Sequence, residues 1–136
     1  KAASGDLGQV GEITERTTDE EFAVLSGDDA LTLPMLAIGG TGTISVVANV
    51  EPERTVEMVH AALDGDYERA RARHRELGPL FRELFVETNP IPVKAAMEHR
   101  GYGPGDLRSP LSSLSPEHRE ELAAVLDELE HEEVSA

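Results

Sequence analysis

The chain has 136 residues, with 27 acids against 12 bases, a formal charge of −15, and no cysteine. This balance argues against a nucleic-acid partner, whose phosphates attract lysine and arginine, and the missing cysteines exclude disulfides and thiolate metal sites. No apolar run approaches the roughly 18 residues of a membrane span and no signal-peptide pattern opens the chain, so a soluble, cytoplasmic protein with no membrane partner is expected.

Lys1 and Lys94 are the only lysines. An acid-rich, lysine-poor surface suits concentrated salt, where screening blunts self-repulsion, and a halophilic protein is expected. The length suffices for one domain with a real core.

In chain order, Lys1-Ala-Ala-Ser-Gly-Asp6 has no initiator methionine and completes no strand by itself, which gives the expectation of a fragment. An amphipathic helix starts at Asp6, with Leu7, Val10 and Ile13 on one face, and ends near Thr17 and Thr18. Residues 22–25 form a short apolar strand. Asp28 and Asp29 cap a helix over residues 31–38, which Gly39-Gly40 stops. Residues 43–47 form a second strand, β-branched and apolar. Strand, helix and strand of this length make a right-handed parallel crossover. Residues 26–29 then sit at the carboxyl end of a parallel sheet, where barrels and open sheets place their chemistry.

After a short loop, Pro52 suits a first helical turn, and Val56, Val59 and Leu63 give an apolar face before Gly65. Tyr67, Ala70, His74, Leu77, Phe81 and Leu84 mark a long helix, with a kink or break expected at Gly78-Pro79. Asn89-Pro-Ile-Pro92 reads as an extended turn, residues 93–100 as a short helix and residues 101–105 as a loop. Ser115 and Pro116 start the last helix, with Leu122, Val125, Leu126 and Leu129 inward. His118 stands where a capping box wants Glu. The acidic end, residues 128–136, is expected to fray. Two apolar strands and one crossover cannot cover themselves, so partner strands must come from outside this sequence.

By spacing alone no site stands out. Lys1 reads as a solvated end charge, Gly27 as a turn glycine and Ile44 as a core residue. Gly39-Gly-Thr-Gly42 precedes a strand and so lies on the bottom face, and it lacks the Gly-Lys-Ser/Thr ending of a P-loop. Glu57-Met-Val-His60 has the spacing of a carboxylate-bridged ligand pair without a second copy, and reads as a solvated helix face. The histidines at 74, 99, 118 and 131 show no metal-ligand spacing, and no metal is expected. Lys94 follows the Pro-Ile-Pro turn and reads as structural.

Several motifs in order nonetheless share one resemblance. Lys1-Ala-Ala-Ser-Gly-Asp-Leu7, Leu25-Ser-Gly-Asp-Asp29, Gly39-Gly-Thr-Gly-Thr-Ile-Ser-Val46, Ala48-Asn-Val50, Phe85-Val-Glu-Thr-Asn-Pro-Ile-Pro-Val-Lys94, Arg108-Ser-Pro-Leu111 and Leu114-Ser115 resemble the 4-hydroxy-tetrahydrodipicolinate synthase (dihydrodipicolinate synthase) family. The resemblance implies an α/β fold, the C-terminal part of a (β/α)8 TIM barrel followed by a helical C-terminal domain. Residues 1–65 would run from the end of strand six to helix eight, and residues 66–136 would form the helical domain. It implies a homo-oligomer, a dimer or a tetramer of tight dimers, and no cofactor.

The same resemblance makes Lys1 the Schiff-base lysine, whose amine attacks the ketone of pyruvate so that the enamine adds to aspartate semialdehyde. Free lysine has a pKa of about 10.4, so a nucleophilic amine near neutral pH needs desolvation or a cationic neighbour. Gly27 and Ile44 are implied as substrate-binding, through close backbone approach and through main chain beside the keto acid. The family usually has Glu after the lysine; Ala2 stands here. Its proton-relay tyrosines and threonine and its carboxylate-binding arginine belong to the first half, so no turnover is expected from these residues alone. Two other readings remain: a related pyruvate aldolase such as 2-keto-3-deoxygluconate aldolase or N-acetylneuraminate lyase, and a noncatalytic acidic helical module pairing subunits through residues 67–136.

Overall fold

The computed structural model describes residues 1–134. Its elements are α1 (Leu7–Arg16), β1 (Leu25–Ser26), α2 (Thr32–Ala37), β2 (Gly42–Thr43), α3 (Pro52–Leu63), α4 (Tyr67–Glu83), α5 (Ile91–His99) and α6 (Pro116–Val134). Short 3-10 turns at Asp29–Leu31 and Val47–Asn49 follow the two strands. β1 and β2 pair in parallel, Leu25 opposite Gly42 and Ser26 opposite Thr43. A third parallel segment reaches β1 through Ala2, which pairs with Ser26. Among the described residues no helix is long and apolar enough to cross a membrane.

Both strands are shorter than their apolar runs suggest. Phe22 is 60% exposed and outside β1. At the end of the second run, the N–H groups of Val46 and Val47 turn away from any strand partner to a side chain, Asp29. A ladder bond is lost wherever the chain turns so, and the strand stops.

Helix α1 starts as expected, with the Asp6 carboxylate accepting from the N–H of Gln9. Val10 packs with Val24 and Met35 in a small core. On α3 the inward face is not Val56 and Leu63, which are 51% and 50% exposed, but Thr55, Met58, Val59, Ala61 and Ala62. Small residues let α4 approach closely, and the Thr55 hydroxyl satisfies itself on the Glu51 carbonyl at 2.7 Å. Glu57 is likewise no solvated face: Arg69 and Arg73 of α4 both pair with it and hold its carboxyl below the ordinary range.

Helix α4 runs through Gly78-Pro79 without a break. A helix-interior proline costs about 3 kcal/mol. Leu77, Leu80 and Phe81 are buried on either side, and each such burial stabilises by about 1.5–3 kcal/mol, which outweighs it. Helix α5 begins at Ile91, two residues before the expected start, with Pro92 in the first turn, where its missing N–H has no helical partner to lose. Helix α6 stays helical to Val134; the last two residues, where fraying was also expected, lie outside the described residues.

One apolar core extends from Leu33 and Leu36 through Val47, Met58, Leu77 and Leu80 to Leu122, Leu126 and Leu129. The helices after Asp66 thus pack on the same core as the crossover. Buried Glu51 ties them further, pairing with Arg54 at 2.6 Å and with Arg100. These arginines also donate to the carbonyls of Leu129 and Leu126 on α6.

The start of α6 explains His118. Glu87, far back in the chain, takes the place of a capping-box Glu: its Oε1 accepts from the Ser115 N–H at 3.1 Å and lies 2.8 Å from His118 Nδ1. The Glu87 carboxylate, with Glu117 and Glu121 adding weakly, holds the His118 imidazole above its ordinary value, and His118 first, then Ser115, holds Glu87 below its own. The histidine contribution is whole below about pH 6.5 and is lost as pH rises through the raised value; the carboxylate contribution is whole above about pH 4.3 and is lost as pH falls through the lowered one. The melting-temperature margin of wild type over His118→Ala is therefore expected to be widest between these limits and to shrink in alkaline buffer. Thermal unfolding across pH checks this, and an equal margin in mildly acid and alkaline buffer contradicts it.

Candidate active site

The three candidate residues come together at one end of the short sheet. The Ala2 N–H donates to the Leu25 carbonyl at 2.8 Å, and the Gly27 N–H donates to the Ala2 carbonyl at 2.7 Å. On the other side of β1 the Ile44 N–H donates to the Ser26 carbonyl at 2.7 Å. Three parallel segments are therefore in register where they end, and Lys1, Gly27 and Ile44 belong to one each.

Period-2 alternation decides which face each side chain takes. Ala2 and Val24 join the small core against α1 and α2. Ser26 is fully buried, and the Thr43 hydroxyl meets that of Thr32 of α2 at 3.1 Å. Lys1, Leu25, Gly27, Gly42 and Ile44 alternate with these and face away from the helices. Ile44 is 51% exposed and Lys1 is exposed. The aliphatic stem of Lys1 lies across Gly27, since a Cβ built there would fall 2.5 Å from Lys1 Cε and 2.9 Å from Cγ. A glycine is required because a neighbouring side chain occupies the space; the backbone is not in the left-handed region.

The aspartate pair divides its work differently from the expected double cap. Asp28 does cap, its Oδ1 accepting from the Ala30 N–H at 3.1 Å. Asp29 is 4% exposed, and one oxygen, Oδ2, accepts from the N–H of Val46 at 3.0 Å and of Val47 at 3.1 Å. One sequence signal pointed here: a single helix start has one N-cap, so the second acid of a pair inside an apolar stretch needs another partner.

The other candidates fall elsewhere. Gly40 sits at the opposite end of β2, and an added Cβ would lie 2.8 Å from the Met35 carbonyl oxygen, so close packing accounts for that glycine. The 470 Å³ hollow between Thr14, Thr18, Phe22 and Ile38 is also remote from Gly27 and Ile44. Among the described residues no group of three or more His, Asp or Glu is placed to hold a metal. His74 packs on Phe81, ring centroids 5.2 Å apart, and burial lowers its pKa. His99 pairs with Asp127 at 2.8 Å.

Parallel strands ending at one edge, helices behind them and a helical extension on the same core make this the C-terminal part of a (β/α)8 barrel followed by a helical domain. The profile of the dihydrodipicolinate synthetase family matches residues 1–129, and the chain belongs to that family. It is 69% identical over 134 residues to the 4-hydroxy-tetrahydrodipicolinate synthase of Haloarcula marismortui, covering 98% of this chain and 44% of that protein. Identity to the synthase of Natronomonas pharaonis is 65% over 130 residues, with 96% and 44% covered. The crystal structure of dihydrodipicolinate synthase from Aquifex aeolicus is similar with a TM-score of 0.92 at 46% identity, covering 96% of this chain and 44% of that one. The chain thus spans less than half the length of these relatives.

Proposed function

We propose that the full-length protein is a Schiff-base lyase that condenses pyruvate with aspartate semialdehyde, a step of lysine and diaminopimelate biosynthesis, with Lys1 as the catalytic residue and Gly27 and Ile44 binding substrate. The observation that carries the reading is the Lys1 stem lying across Gly27 at the carboxyl edge of parallel strands. In this scheme Nζ adds to the pyruvate C2 carbonyl and water leaves. The resulting iminium withdraws electrons as a methyl proton departs, and the enamine carbon then bonds to the aldehyde carbon of the second substrate. Backbone at Gly27 gives the keto acid close, side-chain-free approach on one side, and the Ile44 main chain stands beside it on the other.

Proton transfer falls to groups beyond these residues. Tyr67 opens α4 and Tyr102 follows α5, and both lie outside the strand-end loops. We further propose residues 1–65 as the barrel end and 66–136 as the helical domain. The cytoplasm and a homo-oligomer, dimer or tetramer, complete the reading, with the charge of −15 supporting work in concentrated salt.

Assays of the full-length protein with pyruvate and either aspartate semialdehyde or sugar aldehydes, in dilute and molar salt, test this. Condensation with the semialdehyde, faster in molar salt, is expected. Condensation with sugar aldehydes alone moves the protein to a related aldolase, and no turnover of either leaves the noncatalytic helical module.

A further inference from the structure

The segment that carries Ile44 is held at both ends by the loop that carries Gly27. At one end the Ile44 N–H donates to the Ser26 carbonyl at 2.7 Å. At the other, Asp29 Oδ2 accepts from both Val46 and Val47. Asp29 is two residues from Gly27 and opens the 3-10 turn that leads into α2. Its backbone is fixed in turn: Asp28 caps that turn, and the buried Ser26 hydroxyl donates to the Asp28 carbonyl at 2.8 Å. The Thr32 hydroxyl is a second donor to the same carbonyl, at 3.0 Å.

A carboxylate this buried is costly unless paired or well bonded. Nothing cationic is needed, because two N–H groups at one oxygen form the anion-binding nest of a turning backbone. The carboxylate thereby sets where the chain turns after Ile44, and so where the Ile44 main chain stands relative to Gly27 and the Lys1 stem. The ladder holds the Ile44 N–H on Ser26 and ends there, so the turn on the far side of Ile44 is left to the carboxylate.

We infer that Asp29 is a positioning residue for the reaction, holding the Ile44 main chain in register with Gly27 through the N–H groups of Val46 and Val47. This rests on the function proposed above, in which Ile44 main chain meets the keto acid. Its effect belongs to pyruvate, not to the second substrate and not to the amine.

The test uses the full-length protein as wild type, Asp29→Ala and Asp29→Asn, with steady-state kinetics, thermal unfolding and borohydride reduction in the presence of pyruvate. Asp29→Ala is expected to raise the pyruvate KM about ten- to a hundredfold, the scale of a misplaced binding group, and to leave the semialdehyde KM unchanged. Asp29→Asn keeps an oxygen that accepts both N–H groups and is expected to restore the pyruvate KM to within about threefold of wild type. A merely structural aspartate lowers kcat with the share of folded protein and leaves the pyruvate KM alone; that result overturns the inference.

Amide exchange in the wild type gives an independent readout should the alanine variant not fold. Val46 and Val47 are expected to exchange slowly, together with Ile44, and pyruvate to slow all three. Open-loop exchange at Val46 and Val47 overturns the clamp. If wild type traps pyruvate but the pyruvate KM of Asp29→Ala is unchanged, this inference alone fails; if wild type traps nothing, the proposed function fails first.

Discussion

Gly27→Ala in the full-length protein is expected to lower kcat/KM for pyruvate at least about a hundredfold while leaving the protein folded. The added methyl would fall 2.5 Å from Cε and 2.9 Å from Cγ of Lys1, and 2.9 Å from Cβ of Ala3. Something has to move. The Ala3 carbon is fixed to backbone beside the Ala2–Ser26 pair, whereas the lysine stem has rotatable bonds, so the stem gives way. The fold loses little, roughly the 1–3 kcal/mol of a small overpacking. The amine, however, leaves the path that carries it over the strand ends, and a displacement of about 1 Å at a reacting atom is enough for losses of this size. Kinetics paired with thermal unfolding check the result. Unchanged turnover would mean that the stem's path over Gly27 has no part in the reaction.

Lys1→Arg is expected to have the larger effect, a loss of at least about a thousandfold in kcat. Arginine keeps the positive charge and nearly the reach, so the net charge does not change. What disappears is the ability to become a neutral amine and form an imine. The substitution therefore separates a nucleophile from a cation that merely attracts a carboxylate. If the charge alone mattered, the arginine protein would keep a substantial fraction of the rate.

Much of the helical frame was legible in the residues because burial leaves a local period. The stripes of α1, α4 and α6 repeat at three and four, and Val10, Leu77 and Leu126 are buried where those stripes put them. The errors share a cause: the deciding partner is distant in sequence. The inward face of α3 is built from Thr55, Ala61 and Ala62, which carry little hydrophobic signal and matter because α4 packs closely on them. Pro79 is tolerated because of what its neighbours bury, not because of anything at Pro79. Asp29 and Glu87 each bond to backbone many residues away, and spacing records neither.

The candidate site was legible in a different way. Nothing in the period or spacing of this chain separates Lys1 from a solvated end charge. The resemblance of the strand-end motifs selected Lys1, Gly27 and Ile44, and the register of three parallel segments brings those residues to one edge. In the sequence, capping accounts for both acids, and only the structure shows that one cap leaves the second carboxylate to the backbone of the neighbouring strand end.

Reduction of the full-length protein with borohydride in the presence of pyruvate, followed by peptide mass mapping, tests the central claim most directly. One reduced pyruvate is expected on the peptide that carries Lys1, and none on Lys94 or in the Lys1→Arg protein. Absence of that mass from Lys1, or its appearance on another residue, would contradict it.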